Sequence, residues 1–138
     1  MAKAILYYSF SGKTKSFAER TATETGAEIF EVFEKRKRNI ITAFIPGCFQ
    51  AGGLKESPIT TTATGLDAYE EIVLMAPIWA GHPAPALNSM IKLLPEGKRV
   101  SIITTSGRGG YDLSKTAALV EVKGCIINET RCLEEKEL

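Results

Sequence analysis

Short apolar runs recur along the chain and indicate the strands of a sheet. Ala4–Tyr8 and Ile72–Ala76 are continuously apolar, which is the pattern of parallel strands that are covered on both faces. Glu28–Phe33 predicts a second strand whose polar positions suit the edge of the sheet. Arg99–Thr105 predicts a fourth strand, and Cys125–Leu133 predicts a weaker fifth one.

Segments with helical spacing separate these runs. Lys13–Thr25 carries apolar and small residues along one side, and Gly26 is expected to end this first helix. Pro85–Leu94 and Leu113–Val122 are the second and third predicted helices. Because strands and helices alternate, we expect βα units with right-handed crossovers, and hence an α/β fold with a parallel sheet.

Two segments depart from this alternation. Lys35–Thr64 is long and contains Pro46, so it predicts a short or kinked helix followed by an irregular loop. At the other end, the sequence leaves no room for a full helix between the fifth strand and Leu138. We therefore expect residues 1–138 to form a single domain whose C-terminal helix is absent or truncated.

Composition narrows the class of protein. Of the 138 residues, 44% are apolar and 24% are charged, which is typical of a globular domain. The net charge of +1 argues against nucleic acid or an anionic membrane as the main partner. Neither a membrane-spanning run nor a signal peptide is expected. Cys48, Cys125 and Cys132 lack metal-ligand spacing; they predict free thiols, no metal site and a cytoplasmic location.

The loop after the first strand raises the question of phosphate binding. Gly12-Lys13-Thr14 matches the end of the P-loop of nucleotide triphosphatases, but Tyr7 stands where that motif needs its first glycine. No later strand ends in the acidic residue that would hold magnesium, so the pattern argues against an NTPase. The position between a buried strand and a helix start still favours an anion, because helix N-terminal amides carry positive potential. Hydroxyl groups of nearby serines and of Thr14 suit a terminal phosphate monoester.

Three segments resemble the flavin-binding loops of flavodoxins. Ile5–Ala18 resembles the flavodoxin phosphate-loop signature, which combines an apolar pair, an aromatic residue, a hydroxyl residue, a small residue, a threonine and an alanine. Met75–Leu87 is similar to the second flavin-binding loop of short flavodoxin-like proteins, and Thr104–Tyr111 lies where their third loop belongs. The order of the predicted strands also matches, so the resemblance to short-chain flavodoxin-like proteins extends over almost the whole chain.

This resemblance implies a fold and a cofactor. The fold is an open five-stranded parallel sheet in the order 2-1-3-4-5, with helices on both faces. The cofactor is FMN, bound outside the carboxyl ends of the first and third strands. The implied binding residues are Ser9, Phe10, Ser11, Gly12, Lys13 and Thr14 in the first loop, Pro77, Ile78, Trp79, Ala80 and Gly81 in the second, and Ser106, Gly107 and Tyr111 in the third.

The chemistry of the second and third loops leaves several roles open. Trp79 offers a broad aromatic surface, and the neighbouring prolines limit the freedom of its loop. His82, the only histidine, is either an ordinary surface imidazole or a proton donor near the flavin or a bound acceptor. Arg108 is solvated, or placed to neutralise anionic reduced flavin, or placed to meet the negative group of an electron acceptor. The basic tract Lys35–Arg38 is either solvated or steers an acidic redox partner.

Three functions fit these residues. The first is an electron carrier, with a redox protein or a small molecule as the electron acceptor. The second is an NAD(P)H-dependent FMN or quinone-type oxidoreductase, and the third is a flavin-free interaction module. The chain has 17 lysines and arginines against 16 acidic residues, and so departs from the strongly acidic pattern of flavodoxins. Electron transfer in the broad sense is favoured, while enzyme turnover stays undecided.

The missing last helix also bears on assembly. In flavodoxins the first and last helices cover one face of the sheet. Without the last helix, apolar side chains of the third to fifth strands would be exposed on that face. We therefore expect a second copy of the chain to cover it, which predicts a homodimer.

Overall fold

The computed structural model describes residues 2–35, 58–79, 81–107 and 110–137 of the chain. Within these residues the strands are β1 (Lys3–Tyr7), β2 (Glu28–Glu34), β3 (Ile59–Thr61), β4 (Glu71–Trp79), β5 (His82–Pro83), β6 (Arg99–Ser106) and β7 (Ile126–Glu134). The helices are α1 (Lys13–Thr25), α2 (Pro85–Ile91) and α3 (Ser114–Val122), with 3-10 turns at Leu66–Ala68 and Glu135–Glu137. None of the helices in this part of the chain is both long and apolar enough to cross a membrane.

The described strands form one sheet in the order β3-β2-β1-β4-β6-β7, with β5 paired to β4. The α/β class and the largely parallel sheet are confirmed. The sequence predicted five strands in the order 2-1-3-4-5. This prediction was wrong in the number of strands and therefore in their order, because it missed two short antiparallel strands. β3 pairs with β2 and β5 pairs with β4, both antiparallel. The five parallel strands themselves run β2-β1-β4-β6-β7 across the sheet.

The first missed strand lies at the end of the long segment that was predicted to be irregular. β3 consists of Ile59, Thr60 and Thr61, which are β-branched and therefore favourable in a strand. Its Thr61 hydroxyl donates to the main-chain oxygen of Glu31 at 2.8 Å and ties β3 to β2. The predicted kinked helix, Cys48 and the basic tract beyond Lys35 lie outside the described residues.

Alternation along β1 divides the core between the two faces of the sheet. Leu6 packs in the larger cluster with α2 and α3, and we call this side the two-helix face. Ile5 packs in a smaller cluster with α1, and we call this side the one-helix face. Helices therefore cover both faces, as expected. After β7 the described residues form the 3-10 turn Glu135–Glu137, and the absent or truncated last helix stays a prediction.

The one-helix face corrects the expectation of exposed apolar side chains. Val73, Ile103 and Leu133 are only 4%, 6% and 7% exposed, because α1 packs near them. Beyond α1 the face forms a groove of about 470 Å³ whose lining includes Ser101 and Asn128. Polar side chains thus occupy positions where a further helix would need apolar ones. Among the large apolar side chains of β4, β6 and β7, only Ile126 is mostly exposed, at 64%. The homodimer stays a prediction, but an extended apolar face is not the reason for it.

A register shift marks the last strand of the sheet. Between Val100 and Ser101 the pairing of β6 with β7 skips one residue, so that Val100 faces Ile127 and Ser101 faces Glu129. The extra residue is Asn128, whose side-chain amide donates to Ser101 at 3.2 Å. Such a bulge locally bends and twists the strand that carries it.

Candidate functional site

The carboxyl ends of β1, β4 and β6 bring the three predicted loops to one edge of the sheet. β4 lies between β1 and β6, and all three strands are parallel. The main-chain amide of Tyr8 donates to Met75 at 3.0 Å and extends the pairing of β1 with β4 up to the first loop. Because parallel strands end at the same edge, loops far apart in sequence become neighbours here.

The first loop is a tight turn that leads into α1. Gly12 has a φ of 96°, a left-handed conformation that glycine adopts without steric penalty. Its amide donates to the Ser9 hydroxyl at 3.0 Å, and its carbonyl accepts from the Ser16 amide at 3.1 Å. No side chain caps the start of α1, so the amides of its first turn point out of the helix with positive potential.

The surroundings of Gly12 are open. A Cβ added at this glycine would meet no atom within 4 Å. Phe10, Ser11, Gly12 and Lys13 are all exposed, while Ser9 is half-buried. The loop thus presents hydroxyls and amides around free space, and its glycine is required by the backbone conformation.

Thr14 is the buried member of the first loop. It is 2% exposed, and its hydroxyl lies 2.9 Å from the hydroxyl of Thr105 at the end of β6. This contact joins the start of α1 to the strand that precedes the third loop. Sequence reasoning missed Thr105, although the hydroxyl run Thr104-Thr105-Ser106 at a strand end was a usable signal.

Lys13 has an ion-pair partner that the sequence could not reveal. Its Nζ lies 2.5 Å from Oε2 of Glu135, in the 3-10 turn after β7. Both side chains are partly exposed, at 53% and 41%. The two residues are 122 positions apart, so no local pattern connects them.

The second loop is a short hairpin. Trp79 at the end of β4 pairs with His82 of β5, and Gly81 in the turn has a φ of 81°. The amide of Ala84 donates to the Pro77 carbonyl at 2.9 Å and closes the hairpin. Ala80 lies outside the described residues.

Three aromatic side chains cluster beside this hairpin. The Trp79 ring has its centroid 6.0 Å from that of Tyr8 and 5.7 Å from that of Phe10. The planes are inclined by 78° and 83°, which are edge-to-face contacts. Tyr8 is buried at the margin of the core, whereas Phe10 is 38% exposed. Trp79 is therefore held between the core and the surface, next to the first loop.

The third loop contacts the second. A Cβ placed on Gly81 would lie 3.7 Å from Cε1 of Tyr111, so the tyrosine ring lies close to the hairpin turn. The Cys132 thiol donates to the Tyr111 carbonyl at 3.2 Å and anchors this part of the loop to β7. Ser106 is buried at the end of β6, and Gly107 is exposed. Arg108 and Gly109 lie outside the described residues.

The remaining predicted residues are also at this edge. Pro77 and Ile78 are half-buried near the end of β4, and His82 is half-buried opposite Trp79. Asp112, just after the third loop, accepts from the Ser114 amide at 2.9 Å, and this hydrogen bond lowers the pKa of its carboxyl. Within the described residues no group of three or more histidine, cysteine or acidic side chains could hold a metal ion.

Comparison with known proteins identifies the fold. No protein-family model matches the sequence, and no curated protein matches it either. The structure is similar to a flavoprotein from Lactobacillus acidophilus NCFM in complex with FMN, with a TM-score of 0.82, 22% identity, and coverage of 99% of this chain and 94% of that one.

Two further solved structures are more distant. Megasphaera elsdenii flavodoxin, in its two-electron reduced form, has a TM-score of 0.58 and 17% identity over 96% of this chain and 85% of that one. An NADPH-quinone reductase from P. pentosaceus has a TM-score of 0.59 and 13% identity over 98% of this chain and 86% of that one. Likenesses at these identities establish the arrangement of the chain, and the resemblance drawn from the sequence is confirmed at that level.

Proposed function

We propose that this chain, which has the flavodoxin-like fold, binds FMN and acts in electron transfer. The observation that carries the proposal is the pairing of an uncapped helix start with an aromatic cluster at one sheet edge. The first loop supplies phosphate-type donors, and Trp79 lies beside it with Tyr8 and Phe10. A ligand with a phosphate tail and a flat aromatic ring matches both halves of this site.

The donors of the first loop fit a phosphate monoester. Ser9 and Ser11 contribute hydroxyls, the first turn of α1 contributes amides, and Lys13 contributes one positive charge. Neutral donors around a single cation suit a terminal phosphate better than a nucleoside triphosphate, which needs a longer loop and a bound metal ion. Gly12 leaves open space on its Cβ side, so a ligand oxygen can approach the backbone there.

The aromatic cluster and the third loop fit a ring system. Edge-to-face contacts with two neighbours hold the indole of Trp79 in one orientation, which lowers the entropy lost when a ring packs against it. The Tyr111 ring lies close to Gly81, so we expect the second and third loops together to shield one side of the bound ring from water. We assign Pro77, Ile78 and Ser106 to the same ring-binding region, as the sequence predicted.

The chain's part in the reaction is to bind and orient. FMN supplies the electron-transfer chemistry when it is bound. His82, half-buried opposite Trp79, is the candidate to hold a proton at its imidazole. The alternative is that His82 is an ordinary surface histidine. The pH dependence of flavin reduction distinguishes the two roles, because it should be the same in His82→Gln and in the wild type if the imidazole takes no part.

A flavin titration with two glycine variants tests the proposal. Gly12→Ala strains the loop at a φ of 96° and is expected to weaken FMN binding about tenfold. Gly26→Ala is the matched control, because Gly26 has a φ of 75° and equally open surroundings at the other end of α1. Both variants should lose similar stability, but only the first should lose affinity.

The outcome is measured by the quenching of FMN fluorescence. Wild-type protein that stays colourless and leaves the fluorescence of added FMN unchanged would overturn the proposal and favour a flavin-free interaction module. Equal loss of affinity in both glycine variants would place the flavin elsewhere. Stepwise anaerobic reduction, followed by visible spectra, then shows whether electrons pass singly or in pairs.

An NAD(P)H-dependent oxidoreductase is the second candidate. It is supported by the similarity in fold to an NADPH-quinone reductase and by the near-balanced charge of the chain, with 17 basic against 16 acidic residues. Anaerobic mixing of the flavin-loaded protein with NADH or NADPH distinguishes the two. Rapid bleaching of the flavin absorbance favours the reductase, and a stable yellow solution favours a carrier reduced by another protein.

A further inference from the structure

The one cation of the first loop is already engaged by a carboxylate. Lys13 is the only charged residue between Tyr8 and Thr14, and its Nζ lies 2.5 Å from Oε2 of Glu135. Lys136, in the same 3-10 turn, pairs instead with Glu134, the last residue of β7, at 3.2 Å. The turn after β7 therefore presents a carboxylate to the ammonium group that is placed to meet a phosphate.

The fold explains why these groups meet. β7 lies next to β6 in parallel, and Glu134 is in register with Ser106 at the carboxyl end of β6. Glu135 therefore emerges at the same edge of the sheet as the first loop. The ion pair is a product of the sheet topology, and it links the turn after β7 to the start of α1.

We propose that Glu135 sets how strongly the site discriminates between phosphorylated and unphosphorylated flavin, by competing with the phosphate for Lys13. This inference rests on the proposed function and adds a residue to it. A phosphate monoester carries nearly two negative charges at neutral pH. Glu135 must give up at least part of its contact with Lys13 when the phosphate binds. The phosphate group therefore contributes less affinity than the loop could otherwise provide.

The proposal predicts a ligand-specific effect. Riboflavin has the same ring as FMN but no phosphate, so its affinity should not depend on Glu135. Replacing Glu135 with glutamine removes the competing charge and should tighten FMN about twofold to fivefold, which is the upper part of the range for an exposed ion pair. The gain should disappear in about 1 M salt, where charges are screened within about 3 Å.

A double-mutant cycle tests whether Lys13 is the intermediary. Wild type, Glu135→Gln, Lys13→Gln and the double variant are each titrated with FMN and with riboflavin, at low and at high salt. Lys13→Gln should weaken FMN alone, and adding Glu135→Gln to it should then change nothing. Glu129→Gln is the matched control, because it also removes one negative charge. Glu129 lies within β7 and pairs with Arg131 at 4.0 Å.

The results separate the two proposals. A wild type that binds FMN, with Glu135→Gln unchanged or with equal gains for both flavins, overturns the role of Glu135 and leaves the proposed function standing. A gain that persists in the Lys13→Gln background, or that Glu129→Gln reproduces, overturns it as well, because the effect would then be general repulsion. A wild type that binds neither flavin ends the proposed function and this inference with it.

Discussion

The two faces of the sheet are covered by different means. On the two-helix face, Leu6, Leu74 and Ile102 are fully buried against α2 and α3. On the one-helix face, α1 covers the middle of the sheet, and polar side chains line the groove beside it. Parallel sheets are usually covered by helices on both sides. Here helices cover one face. On the other face, polar side chains of the strands line the part that α1 leaves uncovered.

The polar side chains of the groove satisfy one another. Glu71, which is 9% exposed, accepts from Lys3 at 2.9 Å and from the Asn128 amide at 3.3 Å. The same amide lies 3.2 Å from the Ser101 hydroxyl, and Arg99 donates to the Asn128 oxygen at 2.8 Å. Buried polar atoms are tolerated when they are paired in this way. The groove is thus built to face water or a polar partner.

Adjacent isoleucines of β6 give the most sensitive test of this difference. Ile102 is fully buried under α2 and α3, while Ile103 is 6% exposed and lines the groove. We expect Ile102→Ala to lower the free energy of unfolding by about 3 to 4 kcal/mol and Ile103→Ala by about 2 kcal/mol, because the space left by Ile103 opens to water. Urea unfolding measures both, and equal losses would mean that the faces are packed alike.

Tyr7 gives the next largest effect, through pH. Burial first, and then the Glu31 carboxylate 3.2 Å away, raise the pKa of Tyr7 from 10.0 to about 12. Below about pH 10 the phenol is protonated in both states, and its contribution to stability is complete. Between about pH 10 and pH 12 the unfolded chain loses the proton first, so stability falls by about 2 to 3 kcal/mol.

Tyr7→Phe is the comparison for this pH dependence, because it lacks the titrating group and keeps the ring. Unfolding free energies of both proteins are measured at several pH values from about 9 to about 12. The wild type should lose more stability over this range than the variant. Parallel curves would show that Tyr7 is not protected from deprotonation beneath α1.

The hydroxyl pair of Thr14 and Thr105 tests how α1 is fixed on its face. The two oxygens lie 2.9 Å apart, and both residues are almost completely buried. Each single change to valine leaves one hydroxyl without this partner and should destabilise the fold by about 1 to 2 kcal/mol. The double variant should lose less than the sum, since it leaves no unpaired hydroxyl. Strict additivity in thermal or urea unfolding would argue that the contact has no energetic role.

Self-association is the smallest expected effect. The groove is polar, so a homodimer formed through it would be weaker than the one expected from an exposed apolar face. We predict a dimer by light scattering at micromolar concentration, sensitive to Arg131→Glu in the groove. Val122→Glu, at a residue that is 84% exposed near the end of α3, should leave association unchanged. A monomer throughout would remove the homodimer prediction.

Much of this arrangement could be predicted from local pattern. α1 runs from Lys13 to Thr25 as expected, and the three loops meet at the edge where parallel strands must end. The polar character of the one-helix face could also have been predicted, because Glu129 and Arg131 lie two residues apart in β7 and therefore on the same face of the strand. The prediction of an exposed apolar face overlooked these charges. It assumed that β7 is as apolar as a strand that a helix covers.

Other features depend on contacts that no local pattern records. β3 and β5 have three and two residues, and strands this short form only because a neighbouring strand offers hydrogen bonds. The ion pair of Lys13 with Glu135 joins residues 122 positions apart. The extra residue at Asn128 shifts the alternation of β7 halfway along its length, and simple periodicity cannot anticipate such a shift.

The register shift in β7 also affects how the protein behaves when it is concentrated. A flat, unpaired strand at the border of a sheet invites other chains to add to it and can lead to fibrils. In the described sheet one border strand, β7, is bent by an extra residue and carries Glu129 and Arg131, and the other, β3, has only three residues. Neither offers a long straight template, so the sheet resists growing into an aggregate.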